Sequence, residues 1–281
     1  MLRIIIDGSG DMPEGWVERY HVDVLPMPIQ IGETTYYQGE DITPETFYEL
    51  VKDAKNIPQT AAPSPYRIKS FIEKVSEIGD TVLSITVSGK MSSTITMVQH
   101  AARELADKIN VIAFDSEAGS AVLALMAREA RLRERAGDSL EKILEKLKEI
   151  RDQVMVVLTV DNLEFAHRSG RVNTIKAALS SFLKIKPIIT LQEGTLEMSG
   201  MVRTRKKSLE RIVMKVKEHF GNNAIKVAIV HSQDKETAEI LKEMVESMLN
   251  TAELFFTELS ISVAANLGPK TVGIVALPDD I

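Results

Sequence analysis

Apolar and polar positions along the chain alternate between short buried runs and longer periodic ones. Leu2-Arg3-Ile4-Ile5-Ile6 and Thr81-Val82-Leu83-Ser84-Ile85-Thr86-Val87 are β-branched and almost continuously apolar, as expected of strands covered on both faces. Residues 109–114, 154–160, 224–230, 254–259 and 272–276 read the same way. Met27, Ile29 and Ile31 alternate with Pro28 and Gln30, which predicts a half-buried strand over 24–31. Gly32-Glu33 turns it into 34–37 as a hairpin. Pro187 opens a further strand in Lys184-Ile185-Lys186-Pro187-Ile188-Ile189-Thr190-Leu191. Helical spacing takes over elsewhere. Leu140, Ile143, Leu144, Leu147 and Ile150 form one stripe; Leu209, Ile212, Val213, Val216 and Phe220 form another; Ala238, Leu241, Val245 and Met248 form a third. More helices are predicted over 13–20, 44–52, 65–78, 96–106 and 118–136, with Pro44 in a first turn and Ser64 as an N-cap. Asp138-Ser139-Leu140-Glu141 has the form of a capping box. Strands and helices in alternation imply an α/β protein with largely parallel sheets. Composition shifts near residues 150–152, which divides the chain into an N-terminal domain, 1–151, and a C-terminal domain, 152–281.

Bulk properties narrow the chemistry. Over 281 residues the sequence carries a net charge of −6, which argues against nucleic acid as the main partner. It has no cysteine, so disulfides, thiol catalysis and thiolate metal sites are excluded. The apolar N-terminus ends at Asp7, and no run approaches membrane-spanning length; the expectation is a cytoplasmic protein. Five scattered histidines show no paired ligand spacing, so neither a metal nor another cofactor is expected.

Candidate chemistry lies in loops at strand ends. Ser88-Gly89-Lys90-Met91-Ser92-Ser93-Thr94 holds five hydroxyl or glycine residues among seven and leads into a helix. Free N–H groups and hydroxyls there suit an anion, most simply a carboxylate or phosphate. An ordinary turn that caps the helix fits the same residues. A nucleotide P-loop does not fit, because Ser84 and Met91 stand where glycine and a hydroxyl residue are required. Asp7-Gly8-Ser9-Gly10-Asp11-Met12-Pro13 is a second such loop. In Asn56-Ile57-Pro58-Gln59-Thr60-Ala61-Ala62-Pro63-Ser64-Pro65, prolines force extended backbone. Ser64 has a capping role there and Thr60 has none, so Thr60 is the better ligand contact. Arg171 in His167-Arg168-Ser169-Gly170-Arg171-Val172 and Arg203 in the basic run 201–207 are either solvated cations or docking points.

In order and spacing, these segments resemble the DegV family of fatty-acid-binding proteins over almost the whole chain. The Asp7–Pro13 loop stands at that family's DSTADLP-like start. Thr60-Ala61-Ala62-Pro63-Ser64 stands at its TSQPS, and Ser88–Thr94 at its SSxLSGT. Asp115-Ser116, Ser169-Gly170-Arg171-Val172, Lys184-Ile185-Lys186-Pro187-Ile188, Val202-Arg203-Thr204 and Gly268-Pro269 match in turn. The resemblance implies two α/β domains, an N-terminal three-layer parallel-sheet domain and a C-terminal domain with a mixed sheet. It implies a long-chain, palmitate-like fatty acid in a tunnel between them, its carboxylate held by Thr60 and Ser92, with Ser93 and Asn266 beside them and Ser88 as a further pocket residue. It implies a carrier, not an enzyme, that presents the acid to a fatty acid kinase subunit for acyl-phosphate formation, with Arg171 and Arg203 facing that partner. Three positions depart from the pattern: Asn266 replaces a histidine, Ala61 a serine and Ser93 a glycine. The alternative is a small-molecule enzyme related to the substrate-binding domain of dihydroxyacetone kinases, which need a histidine in the substrate site; the hydroxyl loops hold none.

Overall fold

A computed structural model describes residues 1–52, 57–173 and 185–281. Asn56 and Lys184 lie outside the described residues. The first sheet comprises β1 (Leu2–Asp7), β2 (Val22–Leu25), β6 (Thr81–Thr86) and β7 (Asn110–Asp115), in the order β2-β1-β6-β7 with every pair parallel. Side chains alternate across it as the pleat requires. Ile5 and Val82 point to α3 (Pro65–Val75) and α4 (Thr94–Leu105), where Ile68, Ile72, Val98 and Leu105 complete a core. Ile4, Ile6, Leu83 and Ile85 point to the opposite face, where α5 (Ala121–Arg135) lies. Every residue from Ala121 to Arg128 is buried, so the first two turns of α5 are covered on all sides.

The expected strand over 24–31 is two strands. Pro26 cannot donate to a sheet ladder, and the chain leaves the first sheet there. It re-enters as β3 (Pro28–Ile31) in a small antiparallel sheet with β4 (Thr34–Tyr37) and β5 (Gln59–Thr60). The hairpin is as expected; the pairing of Thr60 with Ile29 is what only the fold supplies. α1 (Trp16–Tyr20) and α2 (Pro44–Leu50) flank this region, α2 capped by Thr43.

The second sheet holds β8 (Met155–Thr159), β9 (Val172–Asn173), β10 (Lys186–Gln192), β11 (Thr195–Val202), β12 (Ile225–His231), β13 (Thr251–Glu258) and β14 (Val272–Pro278). Its order is β13-β12-β14-β8-β10-β11-β9, and it is mixed: β12–β13 and β11–β9 are parallel, the other pairs antiparallel. Val157, Ile188, Val227 and Ile274 face α8 (Arg205–Phe220) and α9 (Lys235–Met248). Val156, Leu158, Ile189 and Val230 face the other way, into one core with α5, α6 (Leu140–Gln153), α7 (Leu163–Ser169) and α10 (Ile261–Leu267). The fold is therefore α/β, with a three-layer parallel-sheet half and a mixed-sheet half that share a core. Residue 151 falls in the last turn of α6, not in a linker. Ser139 alone caps α6, accepting from the Lys142 N–H, so the expected box starting at Asp138 is not formed. Arg128 spans the halves with both terminal nitrogens on the Glu253 carboxylate, at 2.6 and 3.0 Å, and its guanidinium lies over Trp16. No helix among the described residues is long and apolar enough to cross a membrane.

Candidate ligand-binding site

Strand order in the first sheet reverses between β1 and β6, the position where open α/β sheets bind ligands. Asp7 ends β1. Its buried carboxylate accepts from the Ser9 N–H at 2.9 Å, from the Ser9 hydroxyl and from the Val87 N–H at 2.7 Å, which ties the two loops together. Burial pushes this carboxyl up from its ordinary range, and those hydrogen bonds hold it back. Asp115, at the end of β7, accepts from the Gly89 N–H at 3.1 Å and from the Glu117 N–H at 2.9 Å. A Cβ on Gly89 would come within 2.8 Å of that carboxylate, so the loop needs glycine there.

Ser92 and Thr60 meet at one cavity. It has about 880 Å³ of atom-free space, its opening to solvent included. The apolar wall comes from both halves: Met27, Val87 and Met91 from the first, Val156, Leu158, Leu191, Leu196 and Val230 from the second. Polar atoms come from Ser9, Thr60, Ser92, Ser120, Arg171, Ser262 and Asn266. The Asn266 amide donates to Thr60 Oγ1 at 3.2 Å and to the Ser262 carbonyl at 2.6 Å. Thr60 Oγ1 thus accepts from Asn266 and keeps its own proton to donate. Ser92 Oγ accepts from the Thr94 N–H at 3.3 Å and pairs with Thr94 Oγ1 at 2.8 Å. Two hydroxyls whose acceptor side is engaged can turn their protons to an anion in the cavity. Arg171 is half-buried on the wall, oriented by a bond from its guanidinium to the Ser169 carbonyl at 2.5 Å.

Of the residues singled out from sequence, Thr60, Ser92, Arg171 and Asn266 come together at this cavity; Ser88, Ser93 and Arg203 do not. Ser88 is buried but donates to the Gly194 carbonyl at 2.6 Å, and Lys90 Nζ reaches the Glu193 carbonyl at 2.6 Å. These bonds fasten the hydroxyl loop to the β10–β11 turn, so Ser88 holds the halves together instead of facing the void. Ser93 is the exposed N-cap of α4, and Arg203 is exposed beyond β11. Sequence reasoning missed Ser120 and Ser262, which come from the loop before α5 and from α10, and gave no element to 261–267. Only contact across the halves reveals them. Ser120 carries one signal of its own: it sits at φ 61°, ψ −145°, a conformation costing a non-glycine residue on the order of 1–3 kcal/mol.

The chain matches the DegV family, described as uncharacterised, over residues 1–279. It belongs to the DegV family. A DegV domain-containing protein of Listeria innocua is 30% identical over 275 residues, spanning 97% of each chain. The DegV protein of Bacillus subtilis is 26% identical over 275 residues, 97% of this chain and 98% of that one. Among solved structures, a fatty-acid-binding DegV family protein from Thermus thermophilus superposes with a TM-score of 0.89 at 30% identity over 99% of both chains. A stearic-acid-binding protein from Eubacterium ventriosum gives 0.85 at 25% identity over 99% of this chain and 98% of that one. Within this DegV-family chain, no group of three or more histidine and carboxylate side chains among the described residues is arranged to hold a metal.

Proposed function

We propose that this protein binds a long-chain, palmitate-like fatty acid in the cavity between residues 1–151 and 152–281 and carries it. The carboxylate lies at Thr60 and Ser92, with Asn266 orienting the Thr60 hydroxyl. The observation that carries this reading is the cavity itself: an apolar wall from both sheets ending at two hydroxyls, each of which already accepts a hydrogen bond and can turn its proton to an anion. Each methylene removed from water contributes about 0.8 kcal/mol, so a chain of roughly 14 methylenes supplies on the order of 10 kcal/mol before ordering costs. A desolvated carboxylate needs donors in return, and the two hydroxyls with Arg171 meet that need. The fatty-acid-binding proteins of Thermus thermophilus and Eubacterium ventriosum, which share this fold, support the same ligand class. Neither Ser93 nor Ser88 enters this headgroup set. No histidine lines the cavity among the described residues, which disfavours the dihydroxyacetone-kinase-like reading. Mass spectrometry of lipid extracted from purified protein is the test: stoichiometric long-chain fatty acid is expected, and only polar metabolites, or nothing, would overturn the reading.

Presentation to a fatty acid kinase subunit forms the second part of the proposal. Exposed Arg203, Lys206 and Lys207 cluster at the start of α8, where positive charge works against the helix dipole and gains nothing structurally. Arg205 of the same run is engaged with Asp234 at 2.8 Å and the Lys270 carbonyl at 2.6 Å. Charge reversal at Arg203 should abolish kinase-dependent acyl-phosphate formation while lipid content stays constant; unchanged phosphorylation would remove this surface from the proposal.

A further inference from the structure

Asp11 is buried at the seam of the two halves, 1% exposed, and belongs to neither the headgroup set nor the wall of the fatty-acid cavity. Its carboxylate accepts from the Ser260 N–H at 2.7 Å and from the Ser120 hydroxyl. Ser260 immediately precedes α10, the helix that brings Ser262, Val263, Asn266 and Leu267 to the cavity. Ser120 belongs to the wall itself, in the strained backbone described above, with its N–H on the Ser9 carbonyl at 2.9 Å. Two further bonds fasten the same turn of α10 to the first half: Ser262 N–H to Gln38 Oε1 at 3.0 Å and Ser262 Oγ to the Gly8 carbonyl at 2.7 Å. One carboxylate therefore grips two wall elements, a strained loop of the first half and the first turn of a second-half helix. On its other side lies a cleft of about 1,520 Å³, mouth included, which gives the seam a route to solvent.

We propose that Asp11 is a positioning residue, a clasp that holds α10 and the Ser120 loop against the cavity and so sets how fast its ligand escapes. The statement about escape rests on the fatty-acid reading; the clasp itself does not. Titration of the seam offers a readout that a merely structural role would not share. Burial pushes the Asp11 carboxyl up to about 7, with the bonds from Ser120 and Ser260 holding it back. The protonated acid can donate to Ser120 while still accepting from Ser260, so it keeps both partners, and burial is what favours this neutral form. Because the folded value lies above the ordinary 3.8, the contribution is complete below about 4 and fades as pH rises through about 7. The other ionisable groups around this seam and cleft are Asp7, Glu14, Tyr48, His231, Lys235 and Glu258.

Three variants of the full chain test the clasp. Hydrogen–deuterium exchange on delipidated protein compares Asp11→Ala with Asp11→Asn, whose amide can make both bonds without charge. Asp11→Ala should raise exchange about tenfold or more in residues 261–267 and 117–120 while α8 and α9 stay protected, and Asp11→Asn should resemble wild type. Unchanged protection in Asp11→Ala, or equal loss in both variants, overturns the clasp whether or not the protein binds lipid. Release of a fluorescent C16 fatty acid is then followed by stopped flow between pH 6 and 9. Wild type should release faster above pH 7, and Asp11→Asn should show a flat profile; the same pH dependence in both sinks the assignment. Ser120→Gly removes the Asp11 partner while relieving the strained φ, so it tests release without relying on a fold-damaging change. Release severalfold faster with no fall in Tm is expected, and release at the wild-type rate overturns the proposal. Failure of the wild type to bind the probe would instead count against the fatty-acid reading, and the exchange result would still decide the clasp.

Discussion

Replacing Thr60 by valine isolates one hydroxyl in the proposed headgroup site. The exchange keeps the branched shape, and valine suits the strand pairing with Ile29 at least as well as threonine. Asn266 loses one acceptor but keeps the Ser262 carbonyl at 2.6 Å, so it is not stranded. Folding stability should therefore change by less than about 1 kcal/mol. Binding should change far more. A hydrogen bond to a charged acceptor contributes about 1.5–3 kcal/mol net, and each 1.4 kcal/mol is tenfold, so affinity for palmitate should fall roughly 10- to 100-fold. The assay is titration of delipidated protein with palmitate and with its methyl ester, beside a thermal melt of the same samples. Wild type should prefer the acid strongly, and Thr60→Val should narrow that preference, because the ester presents no charge for the hydroxyl to meet. An acid affinity within twofold of wild type at an unchanged Tm would refute the headgroup assignment, whatever lipid the protein carries.

Other perturbations separate the cavity, the loop tie and the seam. Leu158→Trp fills the apolar wall at an overpacking cost of about 1–3 kcal/mol, and should shift extracted lipid toward shorter chains; an unchanged chain-length profile by mass spectrometry would place the acyl chain elsewhere. Ser88→Ala removes the bond to the Gly194 carbonyl, and a loss of about 1 kcal/mol should lower Tm by about 2–4 °C while palmitate affinity stays within twofold; a large affinity loss would restore Ser88 to the headgroup site. Arg128→Ala breaks a bidentate pair whose arginine is 10% exposed but whose glutamate is 39% exposed, so the loss measured by urea unfolding should be about 2 kcal/mol, below that of a fully buried pair. No change there would mean that this ion pair adds nothing to the link between the halves.

The sequence by itself determined most of the elements and the family. Apolar runs with period 2 and stripes with period 3.6 are local properties, so the β1 and β6 strands and the α6, α8 and α9 helices were readable from spacing, as was the placement of small hydroxyl loops after strands. The ordered motif match named Thr60, Ser92, Ser93 and Asn266 as one set; all but Ser93 line one cavity, and Arg171, expected to face a partner, stands on its wall as well. Tertiary structure alone decided which hydroxyls face that cavity. Ser88 and Ser92 lie four residues apart in one loop, yet one turns to the Gly194 carbonyl and the other to the void, because a partner from the second half stands beside Ser88. Pro26 splits a run that alternation alone would leave whole, and the resulting small sheet is what delivers Thr60. Asp11 reads as one acid in a glycine-rich loop until Ser120 and Ser260 close on it. Local pattern fixes which way a side chain leaves its own backbone; what it meets there belongs to residues distant in sequence, Gly194 for Ser88 and Ser260 for Asp11.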